Sequence, residues 1–88
     1  MSTLSADEVL TILRDAIAVV MEIDGAAVTR EMRFVEDLRA DSLALVEIVD
    51  ILEEQLAPLA AAGFRIDDDD LDAITTVGQA VDYAVARL

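Results

Sequence analysis

The stretch VEDLRADSLALVEI, residues 35–48, changes character at its centre. Ahead of Asp41 the apolar and charged residues follow no sustained period. From Ser42 onward, Leu43, Val46, Val49 and Leu52 recur at helical spacing, and Leu45, Ile48, Ile51 and Leu56 widen the apolar arc around the same cylinder. Asp41 and Ser42 are both N-cap residue types, whose side-chain oxygens satisfy an orphan amide for about 1 kcal/mol. The sequence therefore predicts a helix beginning at Asp41 or Ser42, with an irregular acidic segment in front of it. Glu47, Asp50, Glu53 and Glu54 occupy the other side of that helix with no base among them. Such a face gains nothing from intrahelical ion pairs and reads either as a docking surface or as a solvated one.

Working outward, Ser5-Ala6-Asp7-Glu8 is a capping box, and Val9, Leu10, Leu13, Ile17 and Val20 follow at helical spacing. A first helix over residues 6–21 is expected, ended by the turn signal Asp24-Gly25. Residues 26–40 read as a long ordered loop with Phe34 and Leu38 as its anchors into the core. On the far side, Ala57-Pro58 ends or kinks the second helix. Residues 57–66 either extend that helix, form an apolar flap, or make a surface insertion, with Gly63 as a C-cap or hinge. Residues 71–74 suit a short third helix. Thr76-Val77-Gly78-Gln79 is a second capping box, leading into a last helix with Ala80, Val81, Ala84, Val85 and Leu88 on its apolar face. The expectation is an all-α four-helix bundle with a long loop between the first two helices and a short third helix, and one domain over residues 1–88.

Composition narrows the function. The chain of 88 residues is 56% hydrophobic but only 3% aromatic, so its core is built from aliphatic side chains, which suits packed helices. Nineteen acids face six bases, all arginine, for a net charge of −13. Phosphates would repel such a chain, which argues against nucleic acid; partners with basic patches are favoured instead. There is no cysteine and no histidine, so a thiolate zinc site and a Ser-His-Asp triad are both excluded. The acids of residues 67–70 miss the spacing of an EF-hand loop, because Asp72 and Gly78 fall where its sixth and twelfth residues belong. No apolar run is long enough for membrane insertion, and a cytoplasmic monomer is the expectation. Phe64, Tyr83, Met21 and Met32 read as packing residues, and Arg30 and Arg33 as partners for nearby acids.

The open question is why one serine stands at a helix start when the chain has nothing to activate it. The blocks FVEDLRADSLALVEI, VEIVDILEE and ITTVGQAVDYA, in this order, resemble the acyl carrier proteins, here of the discrete, type II-like kind. That resemblance implies a 4'-phosphopantetheine arm on Ser42, with Asp41 beside it and no catalytic residue in the chain. It implies acyl intermediates carried as thioesters for fatty-acid or polyketide biosynthesis. A phosphopantetheinyl transferase supplies the base, metal and coenzyme A. The implied partner surface is Leu43, Val46, Glu47, Glu53 and Glu54, presented to acyl transferases, ketosynthases and reductases with basic docking patches. Arg39 departs from the family pattern, where glycine usually stands; it brings a positive charge near the arm and less backbone freedom. Rival readings are a peptidyl or aminoacyl carrier, an unmodified acidic interaction module, and, further off, a hydrolase.

Overall fold

The computed structural model describes residues 4–60 and 63–88. It contains four α-helices, α1 (Ala6–Met21), α2 (Ser42–Leu56), α3 (Asp68–Leu71) and α4 (Val77–Arg87), with short 3-10 turns at Gly25–Ala27 and Ala57–Leu59. Both capping boxes form. The Ser5 N–H donates to Glu8 and the Glu8 N–H donates back to Ser5 Oγ; Thr76 and Gln79 repeat the exchange at α4. The Ser5 groups hold the Glu8 carboxyl below its usual range. Helix α1 ends at Glu22, which takes the left-handed conformation at φ 56°, a common way to stop a helix.

Helix α1 is the spine. Its Val9, Leu13, Ala16 and Ile17 are fully buried, and it packs against both α2 and α4. Helix α2 contributes Ile48, Leu52 and Leu56 to the core, and α4 contributes Val77, Ala80, Val81 and Ala84. Among the described residues, no Cα of α2 comes within 8 Å of one of α4. Side chains from the connections fill that space, Phe34 and Ile66 above all.

The long loop is tied to the start of α4. The first amides of a helix have no partner inside it. Here Val77 N–H donates to the Met32 carbonyl (2.9 Å) and Gly78 N–H to the Arg30 carbonyl (2.8 Å). Phe34 N–H donates to the Thr75 carbonyl (3.0 Å). A Cβ on Gly78 would lie 3.1 Å from the Arg30 oxygen, so glycine permits this close approach. Arg14 Nε reaches the Val28 carbonyl at 2.8 Å, and Arg30 pairs with Asp82 on α4 at 3.0 Å. Arg30 thus closes a long-range bridge, whereas Arg33 pairs locally with Glu36. Phe34 and Leu38 are buried as expected.

Three expectations change. The apolar line of α2 divides: Leu52 is buried, while Leu43 and Val46 are 67% and 49% exposed, as the implied partner surface has them. The short helix starts at Asp68 rather than residue 71; its three acids sit in the first turn, where the helix dipole favours them. Of the three readings of residues 57–66, the described residues do not fit a surface insertion. Phe64 (3% exposed) and Ile66 (8%) enter the core, and the Ile66 N–H donates to Glu53 Oε2 at 2.8 Å. Gly63 precedes them at φ 81°, a left-handed position that glycine takes freely. Residues 61 and 62 of this segment lie outside the described residues.

Phe64 is therefore expected to bear stability. Phe64→Ala should lower the unfolding free energy by about 3 kcal/mol, while Leu59→Ala, at an exposed site of the same segment, should change it by less than about 0.5 kcal/mol. Urea unfolding of the two variants checks this; equal, small effects would mean that the segment is not anchored.

Candidate functional site

The site is the junction of the loop with α2. Leu38 and Ala40 are buried, and the Ala40 N–H donates to the Phe34 carbonyl at 2.8 Å. Between them Arg39 is exposed, with φ 60°. Asp41 has extended backbone and serves as the N-cap. Its Oδ1 accepts from the Ala44 N–H at 2.8 Å, and its carbonyl accepts from the Leu45 N–H. Ser42 is the first helical residue and is exposed. Its hydroxyl takes part in no hydrogen bond among the described residues. The two N-cap residue types divide the work: Asp41 caps, and Ser42 is left free.

Ser42 stands on the edge of a groove of about 320 Å³, walled by Val35 and Glu36 of the loop, Leu45 and Val46 of α2, and Leu71 and Thr75. The floor of the groove meets the seam between α2 and α4. Phe34, Leu45, Leu71 and Ile74 line both. Inside, the seam is apolar and holds only about 20 Å³ of free space, room for about one water. A long slender group fixed to Ser42 has a free oxygen to attach to and a groove to lie in. The geometry fits a tethered arm.

Leu43, Val46, Glu47, Asp50 and Glu54 are all exposed and share one side of α2 with Ser42. Val35 adds a further exposed apolar side chain from the loop. Glu53 differs from its expected place on this surface. It is half-buried and one carboxylate oxygen is engaged by the Ile66 amide, so it anchors the segment after α2. Sequence spacing groups it with Glu54 and contains no sign of Ile66.

A further element escapes sequence reasoning. Tyr83 Oη donates to Asp70 Oδ2 at 2.7 Å, and Arg87 Nη2 lies 3.5 Å from the same oxygen. The Arg87 guanidinium also stands 3.5 Å over the centroid of the Tyr83 ring, within the range of a cation–π contact. These contacts latch α3 onto α4, and α3 supplies Leu71 to the groove. The partners are 13 and 17 positions apart, too far for any local pattern to pair them. Burial, and then the Asp70 carboxylate, raise the Tyr83 phenol above its usual range.

Comparisons with known proteins agree with this geometry. Residues 11–84 match a family model described as a phosphopantetheine attachment site. The chain is similar to the acyl carrier protein of Rubrobacter xylanophilus, 43% identical over 79 residues and 90% of each chain. It is similar to that of Acidothermus cellulolyticus, 42% identical over 80 residues, covering 91% of this chain and 88% of that one. Its fold superposes on the solved acyl carrier protein of Enterococcus faecalis with a TM-score of 0.74 at 33% identity, covering 97% of this chain and 100% of that one.

The latch has a pH signature. The chain has one tyrosine and no lysine, cysteine or histidine, so Tyr83 is its only side chain that titrates near pH 10. The folded state holds the phenol proton more tightly than the unfolded chain does. Its contribution to stability is complete below about pH 10 and is lost as pH rises through the raised folded value. Urea midpoints should fall above about pH 10 in the wild type and stay flatter in Tyr83→Phe. Parallel curves for the two proteins would show that Tyr83 is not coupled to folding.

Proposed function

The chain belongs to the acyl carrier protein family, and we propose that Ser42 is the residue to which its 4'-phosphopantetheine is attached. Such proteins are carriers, and when bound the arm supplies the thiol this chain lacks, on which acyl groups travel as thioesters. The observation that carries the assignment is the unpartnered, exposed Ser42 hydroxyl beside Asp41, which performs the capping in its place.

The residues around Ser42 support a division of roles. A phosphopantetheinyl transferase brings base, metal and coenzyme A, and the chain brings the hydroxyl and a surface to hold. Leu43 and Val46 offer apolar contact, and Glu47 and Glu54 offer charge to basic patches on successive enzymes. Long-range attraction of this kind speeds encounter and adds modest affinity, which suits a protein that must leave each partner. Acyl transferases, ketosynthases and reductases are the partner classes this reading expects, in the cytoplasm, with the chain acting as a single monomeric domain. Self-repulsion at a net charge of −13 favours the monomer. With neither His nor Cys in the chain, Ser42 has no conventional activating base of its own, and we assign the chain no catalysis.

The seam between α2 and α4 supports a place for cargo. Its lining is aliphatic apart from Phe34, and burying each CH₂ there is worth about 0.8 kcal/mol. Its free space of about 20 Å³ is far too small for an acyl chain, so entry requires Leu71 and Ile74 to move outward. The α3 latch would resist that motion.

Intact mass tests the attachment. After incubation with coenzyme A, magnesium and a broad-specificity transferase, the wild type should gain one phosphopantetheine and Ser42→Ala none. Addition to both would place the arm elsewhere. Loading the holo protein with acetyl or octanoyl groups tests the seam. Each kcal/mol of net burial raises Tm by about 4–8 °C in a domain this small, so the octanoyl form should melt several degrees higher. Identical melting of the two would leave the acyl chain outside.

A further inference from the structure

Among the described residues, two that are not glycine have positive φ: Glu22 at 56° and Arg39 at 60°. Glu22 ends α1, where a left-handed residue is ordinary. Arg39 ends no helix. Its conformation is imposed from both sides, by buried Leu38, whose N–H donates to the Arg33 carbonyl, and by buried Ala40, whose N–H donates to the Phe34 carbonyl. The backbone here suits glycine, and an arginine in this conformation is strained.

The side chain also differs from that of four of the other five arginines. Arg14 is held by the Val28 carbonyl, Arg30 by Asp82, Arg33 by Glu36, and Arg87 by Asp70 and the Tyr83 ring. Among the described residues only Arg39 and Arg65 have no side-chain partner. Arg65 lies in an acidic cleft with Asp50, Glu53 and Glu54. The acids flanking Arg39 are turned to other tasks, Asp37 accepting from the Arg33 amide and Asp41 capping α2, and neither pairs with Arg39. In a chain with 19 acids, a strained arginine left unpaired calls for an anion outside the apo protein.

Ser42 is three residues away. Three residues span at most about 11 Å when extended, and the left-handed residue and the start of α2 shorten that path. An arm on Ser42 is joined through a phosphodiester at the N-terminus of a 15-residue helix, where negative charge is favoured. A planar guanidinium matches two phosphate oxygens in a way an ammonium does not. We propose that Arg39 binds the phosphodiester linking phosphopantetheine to Ser42 and so fixes the root of the arm. Arg39 is then a positioning residue, narrowing the cone through which the thiol swings. The inference rests on Ser42 as the attachment site.

The test uses ¹⁵N-labelled full-length protein in apo and holo forms, with intact and peptide mass measured first. An arm found away from Ser42, or none, overturns the attachment and this pairing with it. With the arm on Ser42, attachment should shift the Arg39 Nε–Hε resonance and slow its exchange with water, leaving Arg65 unmoved. The resonance is assigned by its loss in Arg39→Gln. The ³¹P resonance of the holo protein should differ between wild type and Arg39→Gln, and the difference should shrink as salt is raised. Arg39→Gly separates strain from pairing: its apo form should melt higher than wild type, while its ³¹P resonance should match that of Arg39→Gln. An Arg39 Nε–Hε resonance identical in apo and holo protein, with one ³¹P position for all three proteins, would overturn the proposal.

Discussion

The amides at the start of α4 hold the long loop in place, and the rest of the site depends on them. Val77 and Gly78 present N–H groups that their own helix cannot use, and the carbonyls of Met32 and Arg30 accept them. A loop of this length has few backbone partners of its own; borrowed from a helix end, these bonds give it a fixed path. That path sets Phe34 into the core. Phe34 in turn holds Ala40 through its carbonyl, and Ala40 delivers Asp41 and Ser42 to the head of α2. Gly78 matters because a side chain there would crowd the Arg30 oxygen.

The bundle is asymmetric in a way that suits carriage. Helix α1 packs on two neighbours, but α2 and α4 are kept apart and bridged by side chains from connecting segments. A seam closed by side chains from connecting segments opens at a lower cost than one closed by two long helices packed directly together, because fewer apolar contacts must be given up. The residues after α2 contribute Ile66 to its lining. The four-residue α3 lines it too, packed on the core through Leu71 and latched by the cluster of Asp70, Tyr83 and Arg87. The Arg87–Asp70 ion pair is exposed and the Tyr83–Asp70 hydrogen bond only part-buried; contacts of this kind are individually weak, so the latch restrains α3 without locking it.

The acids are not one population. Asp41, Glu53, Asp70 and Asp82 each accept a bond that organises the fold. Glu47, Asp50 and Glu54 are exposed on the face shared with Ser42 and accept no hydrogen bond among the described residues, although Asp50 and Glu54 share a cleft with Arg65. A charge total describes both groups alike; only the second is open to a partner.

The amino-acid sequence by itself determined both ends of α1 and the starts of α2 and α4, because caps and apolar periodicity act over three or four residues and leave their mark there. Asp41-Ser42 and the two capping boxes are legible for that reason, and so is the acyl carrier resemblance. The tertiary structure decided what depends on distant neighbours. Periodicity places Leu43 and Leu52 on one apolar line, but only the packing of α1 covers Leu52 and leaves Leu43 bare. Glu53 and Glu54 look alike until the Ile66 amide selects one of them. Asp70 meets Tyr83 across 13 residues, and the left-handed turn at Arg39 is imposed by what Leu38 and Ala40 bury. Local rules write helices into a sequence; which side of each helix is covered, and which charge is free, is settled when the chain folds onto itself.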